Sequence, residues 1–258
     1  MSTTIEFATG GDGIGRLTFT SPKGVNVISS PFLNELDARL AEIERDPVLR
    51  VVLITGAGKT FLAGADIEEM SRAPQDAGRA FAERGKRVFD RLAGLERAVT
   101  IAALNGAALG GGCEVALACD LRLMSTAAKI GMPEVKLGLI PGWGGTQRAL
   151  FLLGPARAKR LIFTGDPIDA KLAVEIGLVN DAVEPDQLLP SAENLAAQIL
   201  ANGPDAVRLA KRATTRAERA ALAAGMEAET AAFAEAFAGP QGREGCKAFL
   251  EKRRANWA

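Results

Sequence analysis

Alternating apolar and polar positions mark two strands at the start of the chain, Thr4 to Phe7 and Arg16 to Phe19, with the hairpin signal Gly10-Gly11-Asp12-Gly13 between them. Ser21 to Asn26 reads as a loop. The period then lengthens: Leu33, Leu36, Leu40 and Ile43 recur at helical spacing, with Ser30 the expected cap, Pro31 the first helical position and Asp46-Pro47 the stop. Val51 to Thr55 is apolar without alternation, as in a parallel strand covered on both faces. Further along, the pattern predicts a charged amphipathic helix over 78–95 with a solvated basic face, then a strand over 99–104. A glycine-rich turn leads into a helix ending at Ala118, followed by a strand over 121–124. Residues 128–146 are rich in turn formers and have little period, and helices follow over 147–163 and 169–176, the second closed by Gly177. From about Ala192 no strand pattern recurs, and the helices break at Gly203-Pro204 and Gly239-Pro240. Strands alternating with helices, then helices alone, predict an α/β core over 1–191 and a helical region over 192–258.

One stretch breaks the usual relation between pattern and charge. From Ala98 to Cys119 the chain is almost wholly apolar, and Glu114 is the only charge before Asp120. Ionising a lone carboxylate in apolar surroundings costs several kcal/mol, so such a group is paired, protonated or put to use. Gly110-Gly111-Gly112 just before it permit close backbone approach and open a helix, whose free N–H groups favour negative charge. Two alternatives stand beside this. About 20 apolar residues suffice for a membrane span, and Gly106-x-x-x-Gly110 resembles a helix-packing motif, although four glycines and Asn105 weaken a continuous helix. The other is a buried strand–turn–helix in which Glu114 pairs with an arginine.

Composition narrows the chemistry. Lys+Arg and Asp+Glu are both 31, which gives no reason to expect nucleic acid or an anionic membrane as partner. The first residues lack the basic start and apolar core of a signal peptide, and three cysteines without metal-ligand spacing read as reduced thiols, so a cytoplasmic protein is expected. There is no histidine and no tyrosine, which removes Ser-His-Asp, Cys-His and His-zinc schemes within one chain and leaves Glu, Asp, Lys and Cys for proton transfer. Gly56-Ala57-Gly58-Lys59-Thr60 resembles the end of a phosphate-binding loop, but Leu53 stands where the first glycine is needed. Asp66 is a candidate helix cap after small residues, and Glu134 sits behind Pro133 in the irregular segment.

Taken together, these motifs resemble the crotonase, or enoyl-CoA hydratase/isomerase, superfamily. Ile101 to Leu121 is similar to its central pattern of Asn-Gly, three residues, three small residues and a helix ending in Cys-Asp. Ala63-Gly64-Ala65-Asp66-Ile67 resembles the first oxyanion-hole motif, Met132 to Arg148 the second catalytic segment, and Gly245 to Arg253 the C-terminus. The resemblance implies a ββα spiral core with a C-terminal helical region that packs homotrimers, commonly paired into hexamers.

It also implies an acyl-CoA thioester substrate and no cofactor. The oxyanion hole would be the backbone N–H groups of Ala63 and Gly111, with Glu114 and Glu134 as the two hydratase glutamates and Gly142 orienting the water. Lys23, Gly24, Val25, Ala63 to Ile67, Gly111 and Pro133 would line the CoA site, with Phe233 and Lys252 reaching it across a subunit interface. The expected reaction is syn addition of water to a trans-2-enoyl-CoA in fatty acid β-oxidation or related catabolism. Double-bond isomerisation and dehydration of a specialised hydroxyacyl-CoA are the alternatives, and RNA binding is a reading from another class. Met132 replaces a common Gln and Trp143 a common small residue, with Trp143 either packing in the core or lining the acyl pocket. With the chain ending at Ala258, no dehydrogenase part is expected to follow.

Overall fold

The structure is a computed structural model describing residues 3–257. Readings that fell on Met1, Ser2 and Ala258, namely the absent leader and the chain end, lie outside the described residues.

Two sheets are built by one repeated unit. Strands β1 (Thr4–Thr9) and β2 (Ile14–Thr20) form the antiparallel hairpin that the alternation predicts. Helix α1 (Ser30–Arg45) follows. The unit then appears three times as a long strand, a short strand and a helical segment. These are β3 (Val51–Gly56), β4 (Thr60–Leu62), α2 (Ile67–Arg72) and α3 (Gly78–Ala93); β5 (Val99–Leu104), β6 (Ala107–Leu109) and α4 (Gly111–Ala118); and β7 (Leu121–Ser125), β8 (Lys129–Gly131), a 3-10 turn (Pro133–Leu137) and α5 (Gly145–Thr164). Strand β9 (Ile168–Asp169), α6 (Ala170–Glu175) and β10 (Asp181–Val183) close the core, and α7 (Leu188–Leu200), α8 (Pro204–Ala238) and α9 (Pro240–Leu250) complete the chain. Long strands join one sheet in the order β1-β2-β3-β5-β7-β10, and short ones a second in the order β4-β6-β8-β9. Leu53, Ile101 and Leu121 share one register row, and Leu62, Ala108 and Ile130 another, so each turn of the chain stacks in parallel on the last. This is the ββα spiral that the resemblance implies.

Both faces of the long sheet are covered, which accounts for strands lacking alternation. Val52, Ile54, Ala102 and Leu104 face the main core, while Leu53, Ile101 and Ala103 meet Leu188, Ala192 and Ala196 of α7. Each fully buried large apolar side chain contributes about 1.5–3 kcal/mol. The apolar run is thereby divided into β5, β6 and α4, and among the described residues no helix is long and apolar enough to cross a membrane.

Some expectations shift. Ser29, not Ser30, caps α1, its hydroxyl accepting from Phe32 N at 3.4 Å. Ser30 is drawn away to Glu69 and to Arg84, whose Nη1 donates at 2.6 Å. The segment 128–146 contains β8 and the 3-10 turn, because three-residue strands form only against a partner already in place. Helix α5 is kinked at Gly154 (φ 73°), just before Pro155, which cannot donate to the helical ladder. Lys211 is buried: its Nζ donates to Ala98 O at 2.6 Å and Asp120 Oδ2 at 2.7 Å, pinning α8 to the core.

Candidate active site

The glycine cluster does what its spacing suggests. Gly110 takes φ 54° and ψ −124°, turning β6 sharply into α4. A Cβ on Gly112 would lie 2.0 Å from Leu62 O, so only glycine lets the helix start rest on β4. The opening N–H groups of α4 have no intrahelical acceptor, and Gly111 carries the first. Glu114, one turn on, is 2 % exposed. Among the described residues it forms no ion pair; its Oε1 accepts from Trp143 N and Gly145 N, each at 2.8 Å. Burial pushes its pKa well up and the charge of Glu134 adds to this, while the two N–H donors oppose it. Met132 contributes to the dryness: a Cβ on Gly145 would sit 2.8 Å from Glu114 Oε1 and 2.9 Å from Met132 Sδ.

Glu134 stands on the 3-10 turn, whose start Pro133 stiffens. Its Oε2 is buried with no hydrogen-bond partner among the described residues, and its Oε1 lies 3.0 Å from where a Cβ on Gly110 would point. Burial raises its pKa to about 8. A buried, unpartnered carboxyl oxygen is costly to retain without a ligand or a reaction to serve.

Ala63 requires a correction. Its N–H donates to Asn26 O at 2.7 Å, because buried Asn26 is stapled alongside β4 through Thr60 Oγ1 and Thr60 O. Ala63 therefore has no free donor for an oxyanion. Two residues on, Ala65 bridges Ile28 in parallel, and that bridge uses Gly64 O and Asp66 N–H. The Ala65 N–H faces the other way and finds no acceptor among the described residues. Asp66 caps α2 as expected, accepting from Glu68 N at 3.0 Å and Glu69 N at 3.2 Å.

A cavity of about 660 Å³ brings these groups together. Ala63 to Ile67, Gly111, Glu114, Pro133, Glu134 and Gly142 all line it, and Val25 stands in its wall. Lys23, Gly24 and Lys252 do not, whereas Arg253, not anticipated, does. Phe233 is also placed differently: it is buried in its own chain's cavity wall, 6.0 Å from Phe81, against Gly142, where a Cβ would lie 2.5 Å from its ring. Trp143 both packs in the core and lines the cavity. Its ring is 2 % exposed, stacks on Phe81 at 5.3 Å and meets Phe89 edge-on at 5.4 Å.

Sequence reasoning missed Glu229. It is 3 % exposed on α8 and accepts from Gly144 N at 2.5 Å, Thr146 N at 2.8 Å and the Thr146 hydroxyl. Burial raises its pKa against those hydrogen bonds. The available signal was its place one helical turn before Phe233 in an alanine-rich stretch.

The family model described as enoyl-CoA hydratase/isomerase matches residues 9–258. A short-chain-enoyl-CoA hydratase of Clostridium acetobutylicum is 46% identical over 239 residues, 92% of this chain and 91% of that protein. A crotonyl-CoA hydratase of Syntrophomonas wolfei is 43% identical over 242 residues, 93% of each. Among solved structures, an enoyl-CoA hydratase from Bacillus anthracis superposes with TM-score 0.79 at 37% identity, covering 100% of this chain and 99% of that one. Another, from Mycobacterium avium subsp. paratuberculosis, gives 0.88 at 25% identity and covers 100% of both.

Proposed function

Because the chain belongs to the enoyl-CoA hydratase/isomerase family, we propose that it is an enoyl-CoA hydratase adding water across the double bond of a trans-2-enoyl-CoA. One observation carries this reading: two buried carboxyl groups, Glu114 and Glu134, share a cavity with the free N–H groups of Ala65 and Gly111. A thioester oxygen held by those two donors is polarised, which leaves the β-carbon electron-poor. Each such donor is worth about 3–4 kcal/mol in the transition state.

The carboxyl groups divide the proton work. Glu114, whose two N–H donors oppose the upward push of burial on its pKa, is assigned as the group that takes a proton from water as the oxygen bonds to Cβ. Glu134, with a pKa of about 8, is protonated near neutrality and supplies a proton to Cα. A water O–H bond and the C=C π bond break while a Cβ–O and a Cα–H bond form, and the carboxyl pair ends with the same number of protons because one gains the proton the other gives up. Gly142 lines the cavity where its N–H can orient the water. The chemistry requires no redox step, and we assign no resident cofactor.

The CoA portion is proposed to run past Ala65, Asp66 and Ile67 toward Val25, with Lys23, Gly24 and Lys252 near the outer part of its path. The region from residue 192 is proposed to pack trimers or hexamers. Exposed Phe151 (55 %) and Phe163 (70 %) on α5 offer apolar surface for such contacts. Incubating the purified protein with crotonyl-CoA and following loss of the conjugated enoyl absorbance tests the function. No hydration across short, medium and long 2-enoyl-CoAs would refute it.

A further inference from the structure

The four residues Trp143 to Thr146 present successive N–H groups to two different carboxylates. Trp143 and Gly145 donate to Glu114 Oε1, each at 2.8 Å. Gly144 and Thr146 donate to Glu229, at 2.5 Å to Oε1 and 2.8 Å to Oε2, and the Thr146 hydroxyl also bonds Oε2. The turn depends on these anchors. Gly144 sits at φ 99°, outside the region most residues adopt, and the N–H groups open α5, where no intrahelical acceptor exists for them. Arg148 Nη1 donates to Trp143 O at 2.9 Å and its Nη2 to Asp90 at 2.6 Å, holding the turn from the carbonyl side.

Glu229 does not line the cavity, so it has no route to the substrate. We propose that Glu229 is a positioning residue: by holding Gly144 and Thr146 it fixes the turn whose other two N–H groups orient the Glu114 carboxylate. The charged groups around it are Arg148 on α5 with its partner Asp90 on α3, and the carboxyl groups of Glu114 and Glu134. Through Glu229, which is not among the cavity-lining residues, the long C-terminal helix reaches the proton-transfer machinery.

The proposal rests on the hydratase reading for its catalytic consequence, so the test reads the turn and the turnover separately. Glu229→Gln keeps the side-chain size but turns one acceptor into a donor, so both ends can no longer accept. Hydration kcat is expected to fall about 10–100-fold, the usual cost of a slightly misplaced catalytic group, with KM unchanged within about twofold. The chain has two tryptophans, so in a Trp257→Phe background Trp143 emission reports the turn without turnover. Glu229→Gln is expected to shift that emission to the red. Unchanged emission overturns the proposal, and so does unchanged kcat in an active enzyme. If the unaltered protein hydrates no enoyl-CoA, the functional reading fails while the emission still decides whether Glu229 holds the turn. Thr146→Val deletes only the hydroxyl bond; the same pattern with smaller amplitude is expected, and it replaces Glu229→Gln should that variant not fold.

Discussion

The Trp143 ring lies directly over Gly111: a Cβ on Gly111 would be 2.5 Å from Trp143 Cζ3, and one on Gly85 would be 2.3 Å from Trp143 Cε2. The indole therefore occupies a slot made by two glycines, one of which, Gly111, is the proposed oxyanion donor. Gly111→Ala is expected to displace the ring or the helix start and lower kcat on crotonyl-CoA by about 100-fold or more, as loss of a single oxyanion donor does. Trp143→Ala in the same chain is expected to recover part of that loss, which steady-state kinetics of the single and double variants will measure.

Trp143 also lines the cavity together with Phe81 and Phe233, an aromatic wall proposed to face the acyl chain. Trp143→Ala is expected to raise the ratio of kcat/KM for medium-chain over four-carbon enoyl-CoA. It should also cost about 3–5 kcal/mol of stability, as truncation of a buried aromatic does. A kinetic series across chain lengths, with a denaturant melt, checks both effects.

Glu114→Gln and Glu134→Gln are each expected to lower hydration by about 10²–10⁴-fold, the range for a positioned acid or base, with folding preserved. Crotonyl-CoA assays alongside circular dichroism provide the check. Near-normal turnover in either variant removes that residue from the mechanism.

The raised pKa of Glu134 also makes stability depend on pH. The folded state keeps this proton up to about pH 8, whereas the unfolded chain loses it near the ordinary 4.5. Between those values the folded state binds more protons, so this contribution to stability is fully present below pH 4.5 and is lost as pH rises through about 8. Relative to the unaltered protein, Glu134→Gln should gain in Tm across that window. Melts from pH 5 to 9 will show whether the gap widens with pH.

Lys211 anchors α8 to the core, and Asp120 also accepts from Thr100 N at 2.7 Å and Thr100 Oγ1 at 2.9 Å. Lys211→Met leaves Asp120 those two donors but deprives Ala98 O of its own. A loss on the order of 2 kcal/mol is expected, below the about 3–5 kcal/mol of a fully buried pair because Asp120 is partly solvated. Chemical denaturation measures it.

Local chemistry was legible along the chain. The hairpin glycines, the apolar rows of β3, β5 and β7, the Asp66 cap and the glycine–proline breaks at 203–204 and 239–240 all act within a few residues, where sterics and periodicity decide. The glycines before Glu114 announced a tight helix start, and the absence of histidine directed attention to carboxylates. Short strands such as β4, β6 and β8 were not legible, since three residues carry no period and pair only with neighbours far along the chain.

Readable along the chain alone are the set of elements, an expensive carboxylate behind a glycine turn, and, through resemblance, its partner Glu134. Which backbone groups remain available depends on how distant segments cross in the fold. Asn26 takes the Ala63 N–H and the Ile28 bridge turns that of Ala65 outward, a choice made by chain crossings between distant segments. The fold likewise brought Glu229 from the far end of the chain to the turn that holds Glu114. A hydrogen bond is spent on whichever acceptor the fold brings near, and periodicity along one segment carries no record of that acceptor.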